Sequence, residues 1–393
     1  MSRPVATRVH TAVVEAVREQ LARQGAEVTP ERVALALRDQ GRPVGDATVL
    51  AVHDRLREEV RGAGPLEPLL RMEGVTDVLV NGADAVYLDR GHGLELTEVR
   101  FADDDAVRRL AQRLAGLGGR RLDDATPHVD LRLPDGTRLH AVLAPLARPG
   151  TTISLRVPRG RAFTLEELVL AGTVHPGGAT LLRRVVEARL AFLVSGGTGS
   201  GKTTLLSALL GLVDPGHRLV IVEDGSELRP DHPHVVGLES RPANVEGAGE
   251  IPMRVLVRQA LRMRPDRLVV GEVRGAEITD LLAAMNTGHE GGCGTLHANS
   301  AADVPARVEA LAVAAGLPRS AAHSQLASAV DVVLHLRRDP DGLRRLVEVG
   351  CLERGPDGMV RAVPAVRFAR QGPPEEASAA AALGDLIDSR LAR

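Results

Sequence analysis

The segment from Ala191 to Leu210 constrains this chain more than any other. Ala191–Ser195 is an apolar run suited to a strand buried on both faces, Gly196–Thr204 (GGTGSGKTT) is a glycine-rich loop, and Leu205–Leu210 begins a helix. The pattern G-x-x-x-x-G-K-[ST] is met by Gly196, Gly201, Lys202 and Thr203. Gly196, Gly197, Gly199 and Gly201 let the backbone curl around Thr198 and Ser200 with its N–H groups turned inward, and the helix N-terminus adds a partial positive charge. Lys202 brings a compact charge to β- and γ-phosphates, and the Thr203 hydroxyl, next to Thr204, is a ligand for Mg²⁺. With 41 glycines among 393 residues, chance yields on the order of 10⁻³ such matches. The segment predicts a nucleoside triphosphate site.

Composition sharpens this. Only one of the 49 Lys and Arg residues is a lysine, and it is Lys202. With 51 acidic residues the net charge is −2, so there is no global basic field to hold nucleic acid or acidic lipid. Five aromatic residues, Tyr87, Phe101, Phe163, Phe192 and Phe368, are too few for base-stacking platforms. Two cysteines, Cys293 and Cys351, make neither a four-cysteine zinc site nor a disulfide framework and read as small buried residues. No apolar run reaches the ~18 residues of a membrane span. Charges in MSRPVATRVHTAVVEAVREQ interrupt what a signal peptide keeps apolar. The expectation is a cytoplasmic protein that meets a membrane only through a partner.

Hydrophobic periodicity divides the 393 residues into parts. Residues 1–62 read as a helical extension: Thr11–Gln24, a helix opened by Thr29-Pro30-Glu31, and one from Asp46 to about Arg61. Residues 63–157 read as a small α+β domain with strands Asp77–Val80, Ala85–Leu88, Leu94–Phe101, Val129–Leu133, Thr137–Leu143 and Thr151–Val157, and a helix at Asp103–Leu117. Asn81-Gly82 and Asp135-Gly136 are hairpin signals. Residues 158–163 suit a linker. Over 164–370, apolar strands Ala191–Ser195, Leu219–Glu223, Leu268–Gly271, Gly294–His297 and Val332–Leu336 alternate with helices, the pattern of an α/β domain with a parallel sheet. Leu346–Cys351 and Val360–Phe368 read as a closing hairpin, and 371–393 as a tail with a loosely attached helix.

Three further clusters end such strands, where ligands gather in open parallel sheets. Glu272, in RLVVGEVR, is placed to polarise an attacking water or to hold Mg²⁺ through water. Glu223 and Asp224, in IVEDGSE with Glu227, are candidates for the base or the metal shell. His297, in GTLHAN, is placed to hydrogen-bond a γ-phosphate and sense its loss. Asp266 reads as a local cap or salt-bridge partner.

The four clusters GGTGSGKTT, IVEDGSEL, RMRPDRLVVGEVRG and MNTGHEGGCGTLHANS, in this order, resemble the Walker A, Asp-box, Walker B and His-box motifs of the ATPases of type II and type IV secretion and pilus assembly. GPLEPLL at 64–70, VLVNG at 78–82, VDLRLPDGTRLHAV at 129–142 and ESRPANVEG at 239–247 are similar to the Tad (tight adherence, Flp) branch of CpaF/TadA type. The likeness spans roughly residues 60–350. Gly225-Ser226 and Gln259 depart from the family pattern without removing a carboxylate or phosphate ligand, and the tetracysteine module of type II enzymes is absent.

The resemblance implies a RecA-like P-loop domain, a PAS-like α+β N-terminal domain that closes over ATP, a homohexamer, and an inner-membrane platform protein as partner. It implies that arginines of the N-terminal domain reach the phosphates; the matching positions are Arg132, Arg138 and Arg156. Arg241 matches a family motif without an assigned role, and Gly160 would be the hinge. Two other readings stand beside this one: a RecA-like nucleic-acid motor, and a nucleotide-binding scaffold without turnover.

Overall fold

The computed structural model describes residues 29–41, 47–53, 62–91, 93–158, 161–241 and 248–392, together with 13, 16, 17, 20, 45 and 243. The chain divides into two compact units, Met1–Pro158 and Arg159–Arg393. Gly160 lies outside the described residues.

In the first unit, Thr29 accepts the Arg32 N–H to cap helix α1 (Pro30–Asp39). Val33 and Leu37 of this helix are buried with Val13, Val17, Val49 and Val52. Of the helix expected over Thr11–Gln24, only residues 13, 16, 17 and 20 are described, and they are helical; of the one from Asp46, residues 47–53 are helical and 54–61 lie outside the described residues.

The sheet of this unit is antiparallel throughout, in the order β3-β2-β1-β6-β5-β4: β1 (Asp77–Asn81), β2 (Val86–Asp89), β3 (Leu94–Leu96), β4 (His128–Arg132), β5 (Arg138–Val142) and β6 (Thr152–Arg156). Alternate residues, among them Val78, Val80, Leu139, Ala141, Ile153 and Leu155, pack with Val107, Leu110 and Leu114 of α2 (Asp104–Leu117). Asp103 caps α2, and Asp104 accepts the Thr151 N–H at 2.6 Å and its hydroxyl at 3.0 Å, tying the helix start to β6. Strand β3 stops at Leu96 instead of running to Phe101. Thr97 gives both its N–H and its hydroxyl to the Val86 carbonyl and takes the Val99 N–H, which turns the chain off the edge.

The second unit is a nine-stranded sheet ordered β15-β14-β13-β12-β7-β11-β10-β8-β9. Strands β7 (Phe192–Gly196), β8 (Leu219–Glu223), β9 (Val235–Glu239), β10 (Arg267–Val273), β11 (Cys293–His297) and β12 (Val332–Arg338) are parallel; β13 (Arg344–Arg354), β14 (Val360–Arg367) and β15 (Glu375–Glu376) continue antiparallel. Odd and even residues of each strand face opposite layers. Phe192, Val194 and Ile221 pack with α4 (Pro176–Glu187) and α5 (Lys202–Leu210), which follow the short α3 (Leu165–Leu170). Leu193, Val220 and Val270 pack with α6 (Met253–Ala260), α7 (Glu277–Met285), α8 (Val304–Ala314) and α9 (Arg319–Ala329). Two-sided burial explains why these strands lack alternation in the sequence.

In this unit β9 and the tail differ from the sequence reading. Strand β9 was not expected; it is an edge strand with no fully buried residue, and its short VVGLE run, broken by Gly237, sets only Val236 and Leu238 partly against the core. The tail helix α10 (Ala380–Leu391) is not loosely attached. Leu383 and Ile387, one helical turn apart, are buried in the core of the second unit, Asp388 pairs with Arg184, and Arg390 pairs with Glu290 at 2.9 Å. Among the described residues no helix is long and apolar enough to cross a membrane.

Candidate functional site

Strand β7 leaves the sheet at Gly196, where a side chain has no room: an added Cβ would lie 2.4 Å from the Leu336 carbonyl oxygen and 2.6 Å from Ser200 Oγ. Gly199 and Gly201 hold φ of +69° and +95°, and Gly201 serves as N-cap of α5 with no side chain capping the helix. The neighbouring hairpin braces the loop, since Arg344 Nε donates to the Gly199 carbonyl at 2.9 Å. Beneath it, the buried Ser195 hydroxyl meets His335 Nδ1 at 2.9 Å. Gly197, Thr198 and Gly199 form the exposed crest, while Thr203 and Thr204 are half-buried in the first turn of α5.

Lys202 is buried and curls back over the loop, Nζ lying 3.1 Å from the Gly196 carbonyl and 3.0 Å from that of Gly197. Burial lowers its pKa against the pull of Glu272 and Glu227. His297 is paired in register with Gly196, and its ring nitrogens lie 3.5 Å from Lys202 Nζ. On the other side, His297 Nε2 lies 2.5 Å from Glu272 Oε1, a contact that is an ion pair only when the ring is protonated. Arg274 donates to Glu272 Oε2 at 2.5 Å. Burial alone would raise the Glu272 pKa; the Arg274 hydrogen bond, with the charges of Arg274, His297 and Lys202, outweighs it and holds the carboxyl below its ordinary value. Burial and Lys202 together lower the pKa of His297. Lys202, His297, Glu272 and Arg274 thus form one chain of contacts along the C-terminal edge of β7, β11 and β10.

The Asp-box residues are placed differently. Glu223 is buried, and its Oε1 accepts the N–H groups of Glu227 at 3.2 Å and Leu228 at 3.0 Å. It presses on β10 where only glycine fits, a Cβ at Gly271 lying 2.5 Å from Glu223 Cγ. Burial pushes its pKa up to about 7. Asp224 is exposed and accepts the Ser240 hydroxyl at 3.0 Å.

Arg132, Arg138 and Arg156 belong to the first unit, where the register sets them in one row across β4, β5 and β6. Arg138 grips Asp130 with two hydrogen bonds, of 3.1 and 2.7 Å, Arg156 Nε lies 3.5 Å from Asp77, and Arg132 Nε donates to the Gly136 carbonyl. Directly opposed like charges oppose sheet formation. Arg241 bridges to Ile251 and donates to the Gly249 carbonyl, while residues 242 and 244–247 of its motif lie outside the described residues. Cys293 and Cys351 are buried, burial pushing their thiols up to about 12 and about 11.

Sequence reasoning passed over Arg274 and Glu277. The buried Glu277 accepts the N–H groups of Arg274 at 2.6 Å and Gly275 at 2.7 Å and so fixes the turn that carries Arg274. The signal was present, since Arg274 stands two residues beyond Glu272 in the same RLVVGEVR motif.

The loop fits a polyphosphate: its glycines leave a cradle that a Cβ would fill at Gly196, and Ser200 Oγ is buried without a partner. Thr203 offers a hydroxyl and Asp224 and Glu272 offer carboxylates, oxygen donors of the kind Mg²⁺ takes, although among the described residues no cluster of three or more His, Cys, Asp or Glu is gathered for a metal ion.

The family described as Type II/IV secretion system protein matches residues 59–356. A Mycobacterium tuberculosis protein named for conjugal transfer is 57% identical over 353 residues, covering 88% of this chain and 99% of that protein. The type IV secretion system protein PtlH of Bordetella pertussis is 33% identical, covering 72% of this chain and 91% of its own. The crystal structure of the pilus retraction motor PilT with bound ADP is similar in fold, with TM-score 0.53 at 18% identity, covering 84% of this chain and 87% of that one. The chain therefore belongs to the type II/IV secretion ATPase superfamily.

Proposed function

We propose that this protein hydrolyses ATP to ADP and phosphate and works as a homohexamer. On this reading it is a cytoplasmic motor that powers Tad-like pilus assembly or protein secretion through an inner-membrane platform protein, its only link to the membrane. Residues 164–370 would be the RecA-like motor domain, 63–157 a PAS-like domain, 1–62 a helical extension and 371–393 a C-terminal segment. The observation that carries the reading is the contact chain Lys202–His297–Glu272 beside the phosphate loop. The names of the relatives, for type IV secretion and for conjugal transfer, support the class of machine.

The backbone N–H groups of Gly197–Thr203 bind the phosphates, and Lys202 exchanges its loop carbonyls for β- and γ-phosphate oxygens. Mg²⁺, when bound, neutralises phosphate charge; Thr203, Asp224 and Glu272 are the residues to hold it. Glu272, kept ionised by Arg274, orients the attacking water and accepts its proton. His297 spans Glu272 and Lys202, so loss of the γ-phosphate changes its partners. Glu223, with a pKa near neutrality, is the second base candidate. Arg132, Arg138 and Arg156 would stabilise charge on the departing phosphate.

The test is phosphate release from Mg-ATP, with molar mass followed by light scattering, in wild type, Lys202→Ala and Glu272→Gln. Turnover that rises as hexamers form, and falls by about a hundredfold or more in each variant, is expected. Undiminished turnover in both variants would overturn the site, and binding without turnover in wild type would leave the scaffold.

A further inference from the structure

The alternation that sends successive residues of a strand to opposite layers reverses once within β10. Leu268 and Val270 pack in the layer of α6–α9, and Val269 packs in the opposite layer with Leu205 and Leu209 of α5. Continued alternation would return Glu272 to the α6–α9 layer, away from the phosphate loop that opens α5. Instead Val273 packs there, beside Leu296.

The register against β11 gives the cause. Val270 pairs with Gly294 and Val273 with Leu296, so Gly271 and Glu272 together stand opposite the single residue Thr295. This is a β-bulge: one extra residue in β10 shifts the phase by one, and the side chains beyond it change face. Gly271 and Glu272 are thereby both set on the α5 side. There the α-carbon of Gly271 faces Glu223, and Glu272 meets His297. His297 lies two residues beyond Thr295 and four beyond Cys293, which is packed in the α5 layer.

A side-chain hydroxyl holds the bulge. The extra residue of a bulge falls outside the regular ladder, and here the Gly271 carbonyl accepts the Thr295 hydroxyl at 2.7 Å. Thr295 is only 1% exposed, so water does not compete for that carbonyl. From β8, Glu223 closes the other flank, leaving no room for a Cβ at Gly271.

We propose that Thr295 is a positioning residue for Glu272. Its hydroxyl fixes the bulge that turns the carboxylate out of the α6–α9 layer and toward His297 and Lys202. The hydroxyl proton is committed to the Gly271 carbonyl, so Thr295 acts through Glu272 and not on the nucleotide. The inference rests on the reading of Glu272 as the group that orients the attacking water. A bulge that relaxes by a fraction of its extra residue displaces that carboxylate, and a misplacement of about 1 Å costs up to about a hundredfold in rate.

The test uses the full chain as wild type, Thr295→Val, Thr295→Ser, Thr295→Ala, Glu272→Gln and the double variant Thr295→Val/Glu272→Gln. Phosphate release from Mg-ATP gives kcat and KM, and calorimetry gives the affinity for ADP. Thr295→Val should lower kcat about ten- to a hundredfold while ADP affinity stays within about twofold, because the phosphate loop is untouched. Thr295→Ser keeps the donor and should hold kcat within about threefold of wild type. Serine and alanine differ here by the hydroxyl alone, so that pair carries the comparison if valine disturbs folding. The double variant should be no slower than Glu272→Gln, since both changes act on one group. Wild-type kcat in Thr295→Val and Thr295→Ala beside an inactive Glu272→Gln would overturn the proposal, as would equal losses in serine and alanine or a fully additive double variant. Undiminished turnover in Glu272→Gln would instead overturn the role of Glu272, and the positioning role with it.

Discussion

Arg274 holds Glu272 by its Oε2 atom at 2.5 Å, on a turn that Glu277 fixes through two backbone N–H groups. The arginine is one reason that the Glu272 carboxyl titrates below its ordinary range, along with His297 and Lys202 and against the effect of burial. If ionised Glu272 is the active form, turnover is lost as pH falls through its pKa. Arg274→Gln removes a stabilising charge, so the acid limb of the pH–rate profile should move to higher pH. Glu277→Gln should move it the same way by less. An unmoved limb in Arg274→Gln would separate Glu272 from the titration.

Glu223 makes stability depend on pH. Its folded pKa, about 7, lies above the ordinary 4.5. Between these values the folded chain binds the extra proton, so this residue's contribution to stability declines as pH rises from about 4.5 to about 7. The full change is on the order of 3 kcal/mol. Glu223→Gln keeps an acceptor for the Glu227 and Leu228 N–H groups. The difference in melting temperature between variant and wild type should therefore swing in favour of the variant across this window; a constant difference would refute the raised pKa.

Gly271→Ala places a methyl group 2.5 Å from Glu223 Cγ, inside a packed β8–β10 contact. Overpacking of this kind costs about 1–3 kcal/mol. Urea unfolding should show it, whereas Gly197→Ala, with open space around its Cβ, should be nearly silent in the same assay.

The tail helix is part of the core. Ile387 is fully buried, so Ile387→Ala should destabilise the second unit by about 2–4 kcal/mol. A change in denaturation midpoint too small to resolve would mean that α10 is dispensable.

The arginine row should separate stability from turnover. The Arg138–Asp130 pair is half-exposed, and such pairs contribute about 0–1 kcal/mol. Arg138→Ala should leave the melting temperature almost unchanged and cut ATP turnover about a hundredfold. Equal turnover would assign Arg138 to the sheet surface alone.

Much of the fold was legible because burial on two faces leaves a plain mark. The five apolar strands expected in the second half coincide with β7, β8, β10, β11 and β12 to within a few residues. Strand β9 was hard to read because Val236 and Leu238 are its only inward residues, too short an alternation to stand out, and pairing with β8 supplies the rest. The tail helix was underestimated for a related reason. An alanine-rich segment carries few apolar side chains, and only the surface waiting for it shows that Leu383 and Ile387 suffice.

The sequence by itself determined the phosphate loop, because glycine spacing, one lysine and one hydroxyl are local requirements that a dozen residues satisfy. It also determined that carboxylates and a histidine end the neighbouring strands. Tertiary structure decided their partners. The strand order β7-β11-β10 sets His297 between Lys202 and Glu272, which are separated by seventy positions in the chain. Such contacts are not local: they come from which strands pair, and pairing is set by the whole core at once.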